Sequence, residues 1–209
     1  MGLKKSTKKA AKLYRRAVEL GNVQSMTNLG ALYAQGEGVK LDRRKATQLY
    51  RMASDGGSAM AAQNLGALIA DGPRDARDHV EAFKYFKLAA DRGLHMSFNS
   101  MGVCYECGEG VERDLDEARR WYTRATNTHG LAMAQQNLGA LLAMQAMHVE
   151  AVQYFTRAAE QGHICSFFSL GICHELGQGV PRDPASCGRD DFREILTVKT
   201  KGNRHRHIW

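Results

Sequence analysis

Apolar and small residues along this chain fall into two alternating kinds of short block. One kind runs Ala10, Leu13, Tyr14, Ala17 and returns as Ala46, Leu49, Tyr50, Ala53 and as Ala82, Tyr85, Phe86, Ala89. It returns twice more, as Ala118, Trp121, Tyr122, Ala125 and as Ala151, Tyr154, Phe155, Ala158. Offsets of three, four and seven place each set on one stripe of a helix. The other kind carries Leu29-Gly30, Leu65-Gly66, Met101-Gly102, Leu138-Gly139 and Leu170-Gly171, at spacings of 36, 36, 37 and 32. Each period therefore predicts a first helix and a second helix, and a fixed period of this length predicts an array of stacked units.

The connection between the two helices is written three times: Gly36-Glu37-Gly38-Val39, Gly108-Glu109-Gly110-Val111 and Gly177-Gln178-Gly179-Val180, followed by Asp42, Asp114 and Asp183. A glycine ends a helix where the backbone needs positive φ, which costs another residue about 1–2 kcal/mol. The valine can fold back under the loop. The aspartate can cap the second helix, an interaction worth about 1 kcal/mol. The same glycines could suggest a phosphate-binding loop, but they follow a helix instead of a strand, and Leu41 and Arg113 stand where a third glycine belongs. No cofactor is expected. One unit keeps Gly72 but has Arg74 and Asp75 in the loop, and another runs from Met144 almost directly to His148.

Composition agrees with an all-α chain. Three prolines and 8% aromatic residues in 209 are few for a strand-rich sandwich. No run of about 18 apolar residues is present to span a membrane. The net charge of +7 would suggest nucleic acid if it lay on the body of the protein, but it does not. Residues 1–22 hold seven basic residues and one acidic, 188–209 hold six and three, and the stretch between them holds 16 and 18. A surface that tracks phosphates needs its own basic stripe, so the folded body is not expected to bind nucleic acid. Five cysteines with no secretory signal predict reduced thiols and an intracellular, cytoplasmic protein.

The unit Met101-Gly102, Tyr105, Gly108, Gly110-Val111, Asp114, Ala118, Trp121-Tyr122, Ala125 resembles the Sel1-like repeat, a relative of the tetratricopeptide repeat. The likeness covers about residues 8–184. It implies a right-handed α-α superhelix, or solenoid, whose first helices line a concave surface and whose stability is summed over neighbouring units. The expected boundaries are a basic segment with a lone second helix over 1–22, and repeats over 23–57, 58–93, 94–129 and 130–162. A first helix and loop follow over 163–187, then an irregular basic tail over 188–209. A shifted helix through Phe192, Ile195 and Leu196 is one form the end of the array can take, and an unstructured segment is the other. The array opens on a second helix, as a piece cut from a longer solenoid would.

Catalytic groups do not converge in the sequence, so no enzyme, no catalytic residue and no metal site are expected. Cys104 and Cys107 form half a metal-ligand pattern, better read as small buried thiols. The resemblance has a second branch of secreted, cysteine-rich, β-lactamase-like hydrolases, whose bridges tie the end of one unit to the next. Thr126 with Ala134, and Glu160 with Phe168, stand at those places, which disfavours that branch.

The expected function is a protein–protein interaction scaffold or adaptor. If the first helices orient as in tetratricopeptide arrays, the pairs Thr27-Asn28, Gln63-Asn64, Asn99-Ser100, Gln136-Asn137 and Phe168-Ser169 point to the groove. The candidate contacts among them are Asn28, Gln63, Asn64, Asn99, Ser100, Gln136 and Asn137. Amides in a ladder can bond the backbone of an extended peptide, and they can equally satisfy neighbouring helices inside the stack. Ala31, Ala67, Val103 and Ala140 leave room one turn on, and no Lys or Arg stands there. A mostly uncharged protein or peptide segment is the expected ligand. Met60, Met96, Met133 and Met144 are read as core filling ahead of an adaptable lining. His205 to Trp209 is read as a solvated tail. Met1-Gly2-Leu3-Lys4-Lys5-Ser6 also fits an N-myristoylation pattern at Gly2, and with the lysines after it would tether the chain to a membrane surface.

Overall fold

A computed structural model of the chain describes residues 6–72 and 78–180. Among the described residues there are ten α-helices and no strand. They are α1 (Thr7–Glu19), α2 (Val23–Gln35), α3 (Arg43–Asp55), α4 (Ala59–Ala70), α5 (His79–Asp91), α6 (His95–Cys107), α7 (Leu115–His129), α8 (Ala132–Met144), α9 (His148–Glu160) and α10 (Ile164–Leu176). The chain divides into two compact units, residues 1–118 and 119–209. The even-numbered elements are the first helices of the repeats, and the odd-numbered ones are the second helices.

Caps explain where these helices begin. The Asp42 carboxylate accepts the Lys45 N–H at 3.0 Å, and Asp114 accepts from Asp116 at 2.9 Å and Glu117 at 3.0 Å, so both loop aspartates cap second helices. Asp183 lies outside the described residues, as do Arg74 and Asp75. In their unit Asp78 takes over the cap, accepting the Glu81 N–H at 2.8 Å. Asn22 and Ser58 cap the first helices α2 and α4 in the same way. α2, α6 and α10 end on Gly36, Gly108 and Gly177 in the left-handed conformation, at φ of 72°, 73° and 65°. The shortened unit manages without a glycine: Ala146 sits at φ 61° between α8 and α9.

Packing within a repeat follows one rule. The glycine after Leu29, Leu65 and Leu138 takes the aromatic ring of its own second helix. A Cβ on Gly30 would stand 2.8 Å from Tyr50 Cε1, on Gly66 2.8 Å from Phe86 Cδ1, and on Gly139 2.7 Å from Phe155 Cε1. Packing between repeats uses alanine. Ala46 and Ala53 of α3 are closed off entirely with Ala61 and Leu65 of α4, around the Tyr50 ring. Small residues on both sides let helices approach closely, and each interface buries the stripe that a lone pair would expose.

The second glycine of each loop has another role. A Cβ on Gly38 would stand 2.6 Å from the Lys8 nitrogen at the start of α1, and one on Gly110 would run into the backbone of His79 and Val80 at the start of α5. Gly179 meets His148 and Val149 at the start of α9 likewise. These loops thus pack on the beginning of the preceding second helix, an approach only a residue without a side chain permits.

Candidate functional site

Counting from the Leu or Met of each Leu-Gly or Met-Gly pair aligns the first helices in columns. Five residues before it stand Gln24, Met60, Met96, Met133 and Cys165; two before, Thr27, Gln63, Asn99, Gln136 and Phe168. One before are Asn28, Asn64, Ser100, Asn137 and Ser169; two after, Ala31, Ala67, Val103, Ala140 and Ile172. None of these 20 positions is charged, in a chain that is 24% charged. The first helices carry only Glu106 and Glu175 as Asp, Glu, Lys or Arg anywhere along their length, so the lack of charge belongs to these helices as a whole.

The two amide columns differ in what they touch. In the first unit Thr27 Oγ1 lies 3.2 Å from Ser58 Oγ at the start of α4, and Gln63 Nε2 donates to Ser100 Oγ of α6 at 2.9 Å. In the second unit Gln136 Nε2 donates to Ser169 Oγ of α10 at 2.9 Å, and Gln136 Oε1 accepts from Ser166 Oγ at 2.6 Å. The earlier column therefore serves the stacking of one first helix on the next. The Gln63 Oε1 and Ser97 Oγ atoms, which correspond to the Gln136–Ser166 pair, are buried without a partner.

Both columns hold half-buried polar side chains: Gln63, Asn99 and Gln136 in the earlier one, and Asn28, Asn64, Ser100 and Asn137 in the later. Gln24 Nε2 donates to Asn28 Oδ1 at 3.2 Å. Asn64 hydrogen-bonds the Tyr50 side chain, whose burial pushes its hydroxyl up to about 12 against the opposite pull of that bond. Asn64 and Tyr50 line a groove in the first unit together with Ala31, Ala34, Ala67 and Leu68, enclosing about 390 Å³. Its rim is pinned by Arg43, which bonds Asp71 at 3.3 Å and the Leu68 carbonyl at 2.8 Å. Three alanines and Leu68 supply its apolar lining, Gln35, Arg43 and Asp71 are polar, and Asn64 with Tyr50 adds one amide–phenol pair.

The methionines correct an expectation. Met60, Met96, Met133 and Met144 are 40%, 52%, 59% and 64% exposed, so they are not core. Met60, Met96 and Met133 occupy the column five before Leu or Met, one turn from the amides. The signal was present in the sequence: the same column holds Gln24 and Cys165, and a column that accepts a glutamine is not an interior one.

The other candidates separate. Cys104 is buried and Cys107 exposed; Cys104 is pushed up to about 12 by burial, with Glu109 and Cys107 adding to it, and Cys107 moves in the same direction through burial and Glu106. The four described cysteines are unbridged. Among the described residues no group of three or more His, Cys, Asp or Glu side chains is placed to hold a metal ion, and no helix is long and apolar enough to cross a membrane. Gly2, Cys187 and the tail from 188 to 209 lie outside the described residues.

Comparison with known proteins bears on the fold. The Sel1 repeat family model matches residues 1–22, 23–58, 59–94, 99–127, 148–163 and 168–187. The crystal structure of c5321, a protective antigen of uropathogenic Escherichia coli strains with an SLR fold, is 28% identical, with a TM-score of 0.80 over 88% of this chain. The match spans 40% of that antigen. A Sel1 repeat protein from Oxalobacter formigenes is 24% identical, with a TM-score of 0.79 over 99% of this chain and 82% of its own. YrrB, a tetratricopeptide repeat protein with an unusual peptide-binding site, is 19% identical, with a TM-score of 0.58 over 91% of this chain and 99% of its own. No curated protein matches the sequence. The architecture is that of an all-α repeat solenoid.

Proposed function

Given that this chain belongs to the Sel1 repeat family, we propose that it is a non-catalytic adaptor that holds an extended, mostly uncharged segment of a partner protein on the face of its first helices. Repeat proteins of this kind and of the tetratricopeptide type generally bind protein or peptide partners. The observation that carries the reading is the uncharged face itself, on which half-buried amides are flanked by exposed methionines and, in the first unit, by the groove over Tyr50. Amides supply hydrogen bonds to a peptide backbone, and methionines supply a surface that adapts to varied apolar side chains. Away from the Arg43–Asp71 pair at the rim, a charged segment would lose its hydration there without finding a counter-charge. Asn64 lines that groove, within reach of a segment lying in it.

Selection of random peptides displayed on phage against the full chain tests this. Enriched sequences are expected to be poor in charge. Asn64→Ala is expected to weaken the best of them about tenfold, the worth of one net hydrogen bond. Ala67→Arg, which fills the groove with a cation, is expected to abolish binding while helix content by circular dichroism stays unchanged. Failure to enrich any peptide, or binding indifferent to both substitutions, would remove the face from the account.

A further inference from the structure

The ring of each second helix and the residue before the Leu or Met of the next first helix change together. They are Tyr14 with Asn28, Tyr50 with Asn64, Phe86 with Ser100, Tyr122 with Asn137 and Phe155 with Ser169, each pair 14 or 15 residues apart. A phenol goes with an amide and a phenyl goes with a hydroxyl in all five. The contacts supply a reason. Phe86 and Phe155 have no polar atom to offer, and there the serine oxygen accepts from Nε2 of Gln63 or Gln136 on the preceding first helix, at 2.9 Å in both. Ahead of Asn64 that column holds Thr27, whose hydroxyl turns to the Val23 carbonyl and to Ser58, each at 3.2 Å. Asn64 bonds the Tyr50 phenol instead. The phenol is a fixed point: Tyr50 is 4% exposed, and its ring fills the space where a side chain on Gly30 would begin.

We propose that Tyr50 is a positioning residue for partner binding: it holds the Asn64 amide so that the groove reads one main-chain peptide group of the bound segment, whatever side chains flank that group. This rests on the segment-binding reading above and adds to it the part of the partner that is recognised. An asparagine amide carries a donor end and an acceptor end, and a peptide group carries both as well. With one end of the Asn64 amide on the phenol, the other is left for a peptide group lying in the groove that Asn64 lines. The bond to Tyr50 restrains the side chain before the partner arrives, so less rotamer freedom is lost on binding. The hydroxyl of Tyr50 thus acts through Asn64. The Phe–Ser pairs show how the fold manages without this bond, and they define a replacement that keeps the packing and removes the oriented amide.

A double-mutant cycle on the full chain tests this, with the charge-poor peptide most strongly enriched by phage display as the probe. Tyr50→Phe and Asn64→Ser are each expected to weaken binding about five- to tenfold, and the double variant no more than either alone. Stability is expected to behave differently. The urea midpoint falls in each single variant and recovers in the double, since Phe with Ser is a pair the fold already uses and a serine can bond its own helix, as Ser169 bonds the Cys165 carbonyl at 3.1 Å. Stability that recovers while binding does not is the signature of positioning. Replacing the probe's peptide bonds by esters, one at a time, is expected to find one position that weakens binding to the natural chain and not to Asn64→Ser. Binding that returns with stability in the double variant overturns the proposal, and so do losses of stability that simply add. A probe that Ala67→Arg expels but Tyr50→Phe leaves at full affinity overturns it too, while the segment-binding reading stands. A probe indifferent to Ala67→Arg as well overturns that reading and the proposal with it.

Discussion

The Phe86 ring occupies the space where a side chain on Gly66 would begin, since a Cβ there would stand 2.8 Å from both Cδ1 and Cε1 of the ring. The same relation joins Gly30 to Tyr50 and Gly139 to Phe155, so the two sequence landmarks of the repeat are the two halves of one contact.

Gly66→Ala pits two effects against each other. Alanine raises helix propensity by about 1 kcal/mol, while overpacking a close contact costs about 1–3 kcal/mol. The added methyl also meets the Ala82 carbonyl oxygen at 3.1 Å, which is backbone and cannot rotate away. A net loss of about 1 kcal/mol is expected by urea denaturation, partly restored when Phe86 is also shortened to Leu.

Two glycines with the same backbone twist should respond differently to alanine. Gly93 has φ 81° with nothing within 4 Å of a Cβ, whereas Gly110 has φ 76° and faces the backbone of His79. Gly93→Ala is expected to cost about 1–2 kcal/mol from the left-handed conformation alone. Gly110→Ala adds a collision to that strain and should cost clearly more. Equal losses would mean that the loop does not rest on α5.

At Ala146 the expected sign is reversed. The residue holds φ 61° in the short α8–α9 connection, so Ala146→Gly removes strain. A gain of about 0.5–1 kcal/mol in thermal or denaturant stability is expected, after allowance for the greater freedom of glycine when unfolded.

Tyr50 gives a pH dependence. Its hydroxyl titrates at about 12 in the folded chain against 10.0 when unperturbed, so the unfolded chain loses its proton first. The contribution to stability is whole below pH 10 and is lost as the pH rises toward 12. Melting temperatures should fall over that range and recover on return to neutrality. Tyr50→Phe should lessen the fall without abolishing it, since Cys104 also shifts upward, from 9.0 to about 12.

Much of this molecule is legible in its sequence because helix stripes, glycine stops and aspartate caps act over a few residues. The pairing of Leu-Gly with a following aromatic residue is likewise visible as a phase relation. Asp78 was missed because its loop lacks the glycine and valine that mark the others. The two amides of each pair were inseparable for a geometric reason: Gln63 and Asn64 differ by 100° of helix turn, and only the serine on the next first helix decides which faces the stack. The methionines were misplaced because an apolar residue at helical spacing resembles core until its column is compared across units.

Methionine oxidation footprinting, carried out with the strongest selected peptide bound, tests the binding face most directly. Met60 on α4 and Met96 on α6 should be shielded from peroxide, while Met52, 51% exposed on the second helix α3, should oxidise at its unbound rate. Protection of Met52 with Met60 and Met96 left open would place the partner on the second helices and contradict the account.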